Sequence, residues 1–207
     1  MSTTFGKLVK TELKLMIRDP LVLTFVFAFP VVTMLILGGA FGSKPTPGFQ
    51  NTNPAHWYVA SYLTVVIAAI GLVTTAVSCA VLLLVAWPVY GIPAVHDAWR
   101  VAVALSLGAV AFVSIGVLLG SVLPSARSAQ AVGLLLFFPS FLLGAGGPPP
   151  NVMGSIVKKV ADPLPLTLLT NAVREPWLGL GPATGSLIAI AALAVVATVI
   201  AARRTAL

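Results

Sequence analysis

The chain has 207 residues, of which 58% are hydrophobic and only 8% are charged, whereas roughly a quarter of the residues in ordinary soluble domains are charged. So few charges cannot cover the surface of a water-soluble globule, and a mean hydropathy of +1.05 indicates that the bilayer is the solvent. The net charge of +7 does not indicate a nucleic-acid partner, because the basic residues lie mainly between apolar runs, where positive charge sets membrane topology.

The first 20 residues have the pattern of an amphipathic helix. Apolar side chains recur at helical spacing, and the basic residues Lys7, Lys10, Lys14 and Arg18 lie on the opposite side. A helix with a basic face is suited to the cytoplasmic surface of a membrane. Two interpretations stay open: a positively charged anchor for the first span, or an elbow helix that contacts a partner.

Residues 21–41 form the first predicted membrane segment. The stretch carries no charge, and a helix needs about 20 apolar residues to cross the bilayer. Pro30 predicts a kink in this segment. Three prolines and the polar residues around them predict a loop over residues 42–56.

Residues 57–95 form an uncharged run of 39 residues. Such a run is too long for one crossing and barely long enough for two. We therefore predict two segments, 57–74 and 77–95, with the break near residues 74–78, where three hydroxyl side chains interrupt the aliphatic sequence.

The second half of the chain alternates long and short apolar stretches. We predict spans over 101–123 and 185–202, the last of which is stopped by a pair of arginines. Residues 131–146 are apolar but contain Pro139 and end in a glycine-rich and proline-rich sequence, which predicts a helix that breaks before it completes its crossing. Residues 147–180 carry charges and predict two short external or re-entrant helices.

These segments predict an all-α polytopic membrane protein with a single domain over residues 1–207. It has about six transmembrane helices, an amphipathic N-terminal helix and a re-entrant external helix pair before the last span. Both termini then lie on the cytoplasmic side. Seven basic residues fall on that side and five on the other, a bias in the direction of the positive-inside rule: Lys7, Lys10, Lys14, Arg18, Arg127, Arg203 and Arg204 against Lys44, Arg100, Lys158, Lys159 and Arg174.

Several kinds of chemistry have no residues to support them in the sequence. No Walker A sequence occurs, so we expect no P-loop nucleotide site in this chain. Two histidines and the single Cys79 are too far apart to suggest a metal site, and no paired base activates a serine or threonine. Charged residues are missing from the predicted spans, which disfavours an ion-coupled carrier. We expect a transporter subunit, not an enzyme, with a separate motor.

A resemblance to a known family is strongest between residues 123 and 179. The sequences LPSARSAQAVG at 123–133, LFFP at 136–139, ADPLPLT at 161–167 and NAVR at 171–174 resemble the fifth-helix region and the external helices of ABC-2 type permeases. RDPL at 18–21 resembles the family's entry into the first helix. These permeases are the membrane subunits of bacterial ATP-binding-cassette exporters, including the daunorubicin-resistance type.

The resemblance implies a function and a set of partners. The chain would be a multi-pass permease of the bacterial cell membrane that moves a hydrophobic drug, lipid or other amphiphile outward. It would dimerise with the same or another permease subunit. It would need no cofactor of its own, because ATP would be bound by a separate cytoplasmic ATPase.

One departure from the family pattern bears on coupling. Family members usually carry a charged cytoplasmic loop between the second and third helices, including the helix that docks into the ATPase, and this loop is missing here. The alternative function is therefore a shortened, non-transporting permease homologue, such as a scaffold or a decaying copy, that is uncoupled from any ATPase.

Candidate site residues follow from the resemblance and the predicted topology. Lys14, Arg18 and Asp19 would face the ATPase. Pro139, Gly144, Pro165, Arg174 and Glu175 would form an external gate or the re-entrant helices. For Arg174 with Glu175, a surface ion pair worth less than about 1 kcal/mol is slightly favoured over a gate element. Pro139 and Gly144 are expected to shape the broken helix.

Overall fold

The computed structural model describes residues 14, 18, 24–42, 44–69, 72–92 and 94–205. Eight α-helices and no β-strand occur in these ranges, which confirms the predicted all-α fold. The helices are α1 (Phe29–Ala40), α2 (Pro54–Ala69), α3 (Leu72–Tyr90), α4 (Ala98–Val122), α5 (Ala126–Ser140), α6 (Ser155–Ala161), α7 (Pro165–Leu178) and α8 (Thr184–Thr205). A π-helical turn precedes α1 (Thr24–Ala28), another follows α5 (Phe141–Ala145), and Pro47–Phe49 is a short 3₁₀ helix.

Capping residues in the sequence account for the starts and ends of several helices. The Asp97 carboxylate accepts a hydrogen bond from the backbone N–H of Arg100 and begins α4. The Ser125 hydroxyl does the same for Ser128 at the start of α5. Both are N-caps that satisfy one of the otherwise free N–H groups of a first helical turn.

Three helices are long and apolar enough to cross a membrane, within the part of the chain that the structure describes. They are Ala98–Val122, Arg127–Ala145 and Thr184–Arg204. Two shorter apolar helices, Phe29–Ala40 and Cys79–Tyr90, fall below that length. The start of the first predicted span, residues 21–23, lies outside the described residues.

The connection between α2 and α3 differs from the predicted one. α2 ends at Ala69 and α3 begins at Leu72, while Ile70 and Gly71 lie outside the described residues. Residues 74–78 are already part of α3, so the break predicted there is wrong. Serine and threonine are tolerated inside helices because their hydroxyls can bond to the carbonyls of the preceding turn, whereas glycine is a stronger interruption.

α4 and α8 lie side by side and run in the same direction. The Arg100 side chain donates to the carbonyl of Pro182 near the start of both helices. Further along, the hydroxyls of Ser114 and Thr198 are 2.8 Å apart. The chain must therefore return once between the end of α4 and the start of α8. α5 can make that crossing only if α6 and α7 add no net crossing.

α7 lies inside the bundle and not on its surface. Nine of its 14 residues are buried, and it packs against α2, α4, α8 and the π-helical turn at Phe141–Ala145. The backbone N–H groups of His96 and Asp97 donate to the carbonyls of Trp177 and Pro176, so the C-terminal end of α7 lies level with the start of α4. We call this level the outer end of the bundle, since the predicted topology places it outside the cell.

The depth that α7 reaches follows from its contacts further along. Leu169 meets Gly108, which lies ten residues into α4, or about 15 Å at 1.5 Å per residue. α7 is thus a half-length helix that dips from the outer end into the bundle, a geometry that irregular membrane segments adopt only when protein surrounds them. α6, in contrast to α7, lies on the surface of the bundle, because Ala161 is its only buried residue.

Candidate functional site

Arg174 is the buried cation among the described residues and the centre of the candidate site. Its side chain is 3% exposed, and its guanidinium carbon lies 3.7 Å from the centroid of the Trp57 ring. Nη2 donates to Asn171 Oδ1 at 2.6 Å and Nη1 donates to Ser61 Oγ at 3.3 Å. The Nε–H is buried without a hydrogen-bond partner.

The surface ion pair predicted for Arg174 and Glu175 is wrong. Among the described residues, no carboxylate lies within 4 Å of the Arg174 guanidinium, and the ion pair found there joins Arg100 to Asp97 at 2.8 Å. Consecutive residues on a helix point about 100° apart. Arg174 therefore turns toward α2 and is buried, while Glu175 is half-buried beside it.

The ends of α7 explain why Arg174 is held in this position. Pro165 stands at the start of the helix, where the lack of an N–H costs nothing, and Gly179 ends it with a φ of 69°, which glycine adopts without strain. Asn171 precedes Arg174 by three residues, so the two side chains share a helix face. That spacing fixes the amide against the guanidinium.

Burial also sets the protonation of this pair. It lowers the pKa of Arg174 to about 9, an effect that the nearby Glu175 carboxylate opposes. The pKa of Glu175 is raised, again by burial first, and Arg174 opposes that shift. The guanidinium is therefore charged at neutral pH.

Aromatic rings continue from the arginine site along one side of the bundle. The Phe49 ring lies 5.9 Å from that of Trp57 and 5.8 Å from that of Tyr58. Tyr62 then connects Tyr58 to the rings near the π-helical turn. Centroid separations from 5.3 to 6.3 Å are in the range of favourable ring pairs, and the whole set consists of Phe29, Phe41, Phe49, Trp57, Tyr58, Tyr62, Phe137, Phe138 and Phe141.

A cleft of about 430 Å³ lies at the outer end, between the loop before α2, the loop before α6, α6, α7 and the start of α8. Arg174 forms part of its lining. The other charged residues that line it are Lys158, Asp162 and Glu175, and amide side chains come from Gln50, Asn151 and Asn171. A polar cleft of this composition suits a charged ligand group better than an apolar one.

Gly144 and Pro139 contribute to the shape of this region in different ways. Pro139 lies exposed in the last turn of α5, which gives way to the π-helical turn at Phe141–Ala145, and a proline inside a helix removes one backbone donor. Gly144 lies against α7: a methyl group built on it would be 2.5 Å from Thr167 Oγ1. Gly144, Pro165, Arg174 and Glu175 are therefore grouped on or beside α7, and Pro139 is not.

The residues predicted to face an ATPase lie at the other end of the chain. Lys14 and Arg18 are both helical and exposed. Asp19 lies outside the described residues. Among the residues that are described, no group of three or more His, Cys, Asp and Glu side chains could hold a metal ion.

Trp57, Ser61 and Asn171 belong to the site but were not predicted. The i, i+3 spacing of Asn171 and Arg174 was a usable signal. No local sequence signal indicated Trp57 and Ser61, because their contact with Arg174 joins residues more than 100 positions apart.

Comparisons with known proteins give the family. Neither a curated protein nor a solved structure matches the chain. A family model described as "ABC-2 family transporter protein" matches residues 52–203, a stretch that contains every helix from α2 to α7, the arginine site and nearly all of α8. This match covers well over half of the sequence. The chain therefore belongs to the ABC-2 family of transporter proteins.

Proposed function

We propose that the chain is the permease subunit of an ATP-binding-cassette exporter in a bacterial cell membrane. It moves a hydrophobic or amphipathic substrate, such as a drug or a lipid, outward in the manner of daunorubicin-resistance exporters. The energy comes from a separate ATPase subunit. The match of the family model to residues 52–203 carries this proposal, because that family consists of transporter membrane proteins.

A second permease subunit would complete the path. α5 and the π-helical turn after it support this part of the proposal, since only 11% of the most apolar stretch within Arg127–Ala145 is buried. Its exposed side chains include Leu134, Leu135, Leu136 and Phe138. Such a face needs lipid or another apolar protein surface to cover it, and a second copy of the chain or a related subunit would serve.

Contact with the ATPase would be made by Lys14, Arg18 and Asp19. The exposure of Lys14 and Arg18 supports this placement, because exposed basic residues steer and hold an acidic partner. The predicted orientation puts them on the cytoplasmic side, with both termini.

The external gate would be formed by α7 and the segment before it. Arg174, Glu175, Pro165 and Gly144 would belong to this gate, with Pro139 shaping the helix that leads to it. The half-length course of α7 from the outer end supports the proposal. Because α7 begins inside the bundle, the space on the inner side of its first turn is either filled by other side chains or open to a substrate.

A second candidate function has an observation in its favour. Only two residues separate Ala69 at the end of α2 from Leu72 at the start of α3. That gap is too short for a helix that docks into an ATPase. The chain would then be a shortened permease homologue that folds and inserts but does not transport.

Co-purification separates the two candidates. The tagged chain is co-expressed with the ATPase encoded beside its gene and purified in detergent, alongside a Lys14→Glu, Arg18→Glu variant. The exporter proposal expects a stoichiometric complex that the double variant weakens. Lys44→Glu is the matched control, since Lys44 is exposed and predicted to lie on the opposite side. A folded permease recovered without ATPase would favour the shortened homologue.

A further inference from the structure

The outer cleft contains charges that have no ion-pair partner among the described residues. Arg174 and Lys158 supply two cations, and Asp162 and Glu175 supply two anions. Within the described ranges, none of the four forms an ion pair within 4 Å. The cleft therefore has equal numbers of positive and negative groups, but these groups do not contact one another.

Arg174 is the strongest indication of a missing anion. Its guanidinium is buried, contacts two neutral oxygens and one ring, and keeps a buried Nε–H without a partner. A buried charge is normally paired or bound to a ligand, because its desolvation is otherwise uncompensated. Guanidinium groups recognise phosphate and carboxylate with two parallel N–H donors.

The two carboxylates make a simple anion a poor match for the same cleft. Asp162 is exposed and Glu175 half-buried, and both would repel a ligand that carries only negative charge. A cationic group on the ligand would remove that repulsion and add a charge-assisted hydrogen bond. The lining therefore favours a ligand with one anionic and one cationic group close together.

The position of the cleft indicates where such a ligand would come from. Gly185 and Ser186 line it, and both lie in the first turn of α8, which is one of the helices able to cross a membrane. Charged side chains at the end of a span lie at the level of lipid head groups. One turn further along α8, Ile188 is 65% exposed and would lie beside the acyl chains.

We propose that the outer cleft binds the zwitterionic head group of a membrane amphiphile. The phosphate contacts Arg174 and Lys158, the amine contacts Asp162 and Glu175, and the tails run along the exposed face of α8 past Ile188. The inference goes beyond the proposed function, because this binding needs neither an ATPase nor transport. Its failure in the binding experiment below would leave the co-purification result untouched.

Binding of short-chain lipids to the purified full chain tests the proposal. The chain is kept in an uncharged maltoside detergent and titrated with dihexanoyl phosphatidylethanolamine, which is zwitterionic, or dihexanoyl phosphatidylglycerol, which is anionic. Tryptophan fluorescence, to which Trp57 beside Arg174 contributes, gives one reading of binding, and the thermal unfolding midpoint gives a second. We expect saturable binding of the zwitterionic lipid, tighter than that of the anionic lipid by about fivefold, the size of one partly exposed charge interaction.

Variants at exposed positions keep the test independent of folding. Asp162→Asn should reduce the preference for the zwitterionic lipid, with Glu175 keeping part of it, and Lys158→Gln should weaken binding of both lipids. Lys159→Gln is the matched control, because Lys159 is exposed on the same helix but does not line the cleft, and it should change neither. Arg174→Gln should remove binding if the variant folds.

Three outcomes would overturn the proposal. They are the absence of saturable binding, equal or tighter binding of the anionic lipid, and a preference that is unchanged by Asp162→Asn. Tail-free glycerophosphoethanolamine identifies the source of the head group. If it binds as tightly as the short-chain lipid, the tails contribute nothing and the proposed membrane amphiphile is wrong.

Discussion

Arg174 shows what a single buried charge requires from its surroundings. Trp57 covers one face of the guanidinium, and Asn171 and Ser61 accept hydrogen bonds from two of its five N–H groups. A desolvated cation–π contact contributes about 2 kcal/mol, and hydrogen bonds to a charged group contribute about 1.5–3 kcal/mol. These contacts hold α7 against one turn of α2, because both partners on α2, Trp57 and Ser61, lie four residues apart.

Replacing Arg174 by lysine keeps the charge but removes the planar fork. We expect Arg174→Lys to lower the free energy of unfolding by about 2 kcal/mol, since an ammonium group cannot both stack on Trp57 and reach two acceptors. The measurement is the thermal unfolding midpoint in detergent. Arg100→Lys is the control: Arg100 forms a partly exposed ion pair, and the change should cost less than about 1 kcal/mol. Equal effects of the two substitutions would contradict this account of the site.

Sequence reasoning found Arg174 but assigned it the wrong surroundings. Charge and neighbours suggested a surface pair with Glu175, because the face of α7 that meets α2 is not visible in a local pattern. The Asn171 spacing was the local clue to a buried side. The stacking on Trp57 joins two elements distant in sequence, and no periodicity encodes it.

Close packing of α7 against its neighbours depends on small residues. Gly108 on α4 faces Leu169, and a methyl group on Gly108 would come within 2.6 Å of the Leu169 side chain. Leu169 is fully buried and has little room to move. Small residues at such positions allow helices in membranes to approach each other.

Gly108→Ala should therefore loosen α7 from α4. We expect a loss of about 1–3 kcal/mol in unfolding free energy, the usual cost of overpacking a core, seen as a lower unfolding midpoint. Gly116→Ala on the same helix provides the matched comparison, because a methyl group there meets nothing within 4 Å. It should be neutral or slightly stabilising, since alanine favours helix over glycine. If both substitutions behave alike, α7 does not pack on α4 as described.

At the level of elements, the sequence predicted which segments are helical better than it predicted where a helix breaks or how deeply it is buried. Glycine and proline after residue 143 predicted a crossing that ends early, whereas α5 and the π-helical turn at Phe141–Ala145 form one apolar stretch over Arg127–Ala145 that is long enough to cross a membrane. Hydroxyl residues at 74–78 suggested a break that α3 does not have. The burial of α7 was less visible, because its five polar or charged residues between 165 and 178 resemble a surface helix until their partners are known.

The whole molecule combines a set of apolar helices with a charged outer end. The parallel course of α4 and α8 requires one return crossing, which α5 makes if α6 and α7 add no net crossing. In the predicted orientation, with the basic residues at the N-terminus and after α8 on the inside, Lys158 would lie outside and Arg127 inside. This arrangement gives a direct test of topology.

Cysteine labelling in intact cells checks that orientation. In a Cys79→Ser background, Lys158→Cys should react with a membrane-impermeant maleimide added outside. Arg127→Cys should react only after the cells are permeabilised. Both native side chains are exposed, so a difference in labelling between the two variants could not come from burial. Labelling of Arg127→Cys from outside would place the termini on the other side.

Composition alone was sufficient to predict a membrane protein, and the family match agrees with that prediction. The low charged fraction indicated a membrane protein, and the residues from 123 to 179 indicated the family before any comparison. Coupling to an ATPase could not be predicted in the same way. It depends on a surface formed with another protein, which the pattern of a single chain does not encode.

The rate of ATP hydrolysis by the assembled complex separates an exporter subunit from an uncoupled homologue. The proposed ATPase partner is measured alone and after reconstitution with this chain in lipid bilayers. We expect the hydrolysis rate to change when the chain is present and to return toward the isolated value with the Lys14→Glu, Arg18→Glu variant. An unchanged rate beside a correctly folded and inserted chain would contradict the exporter function.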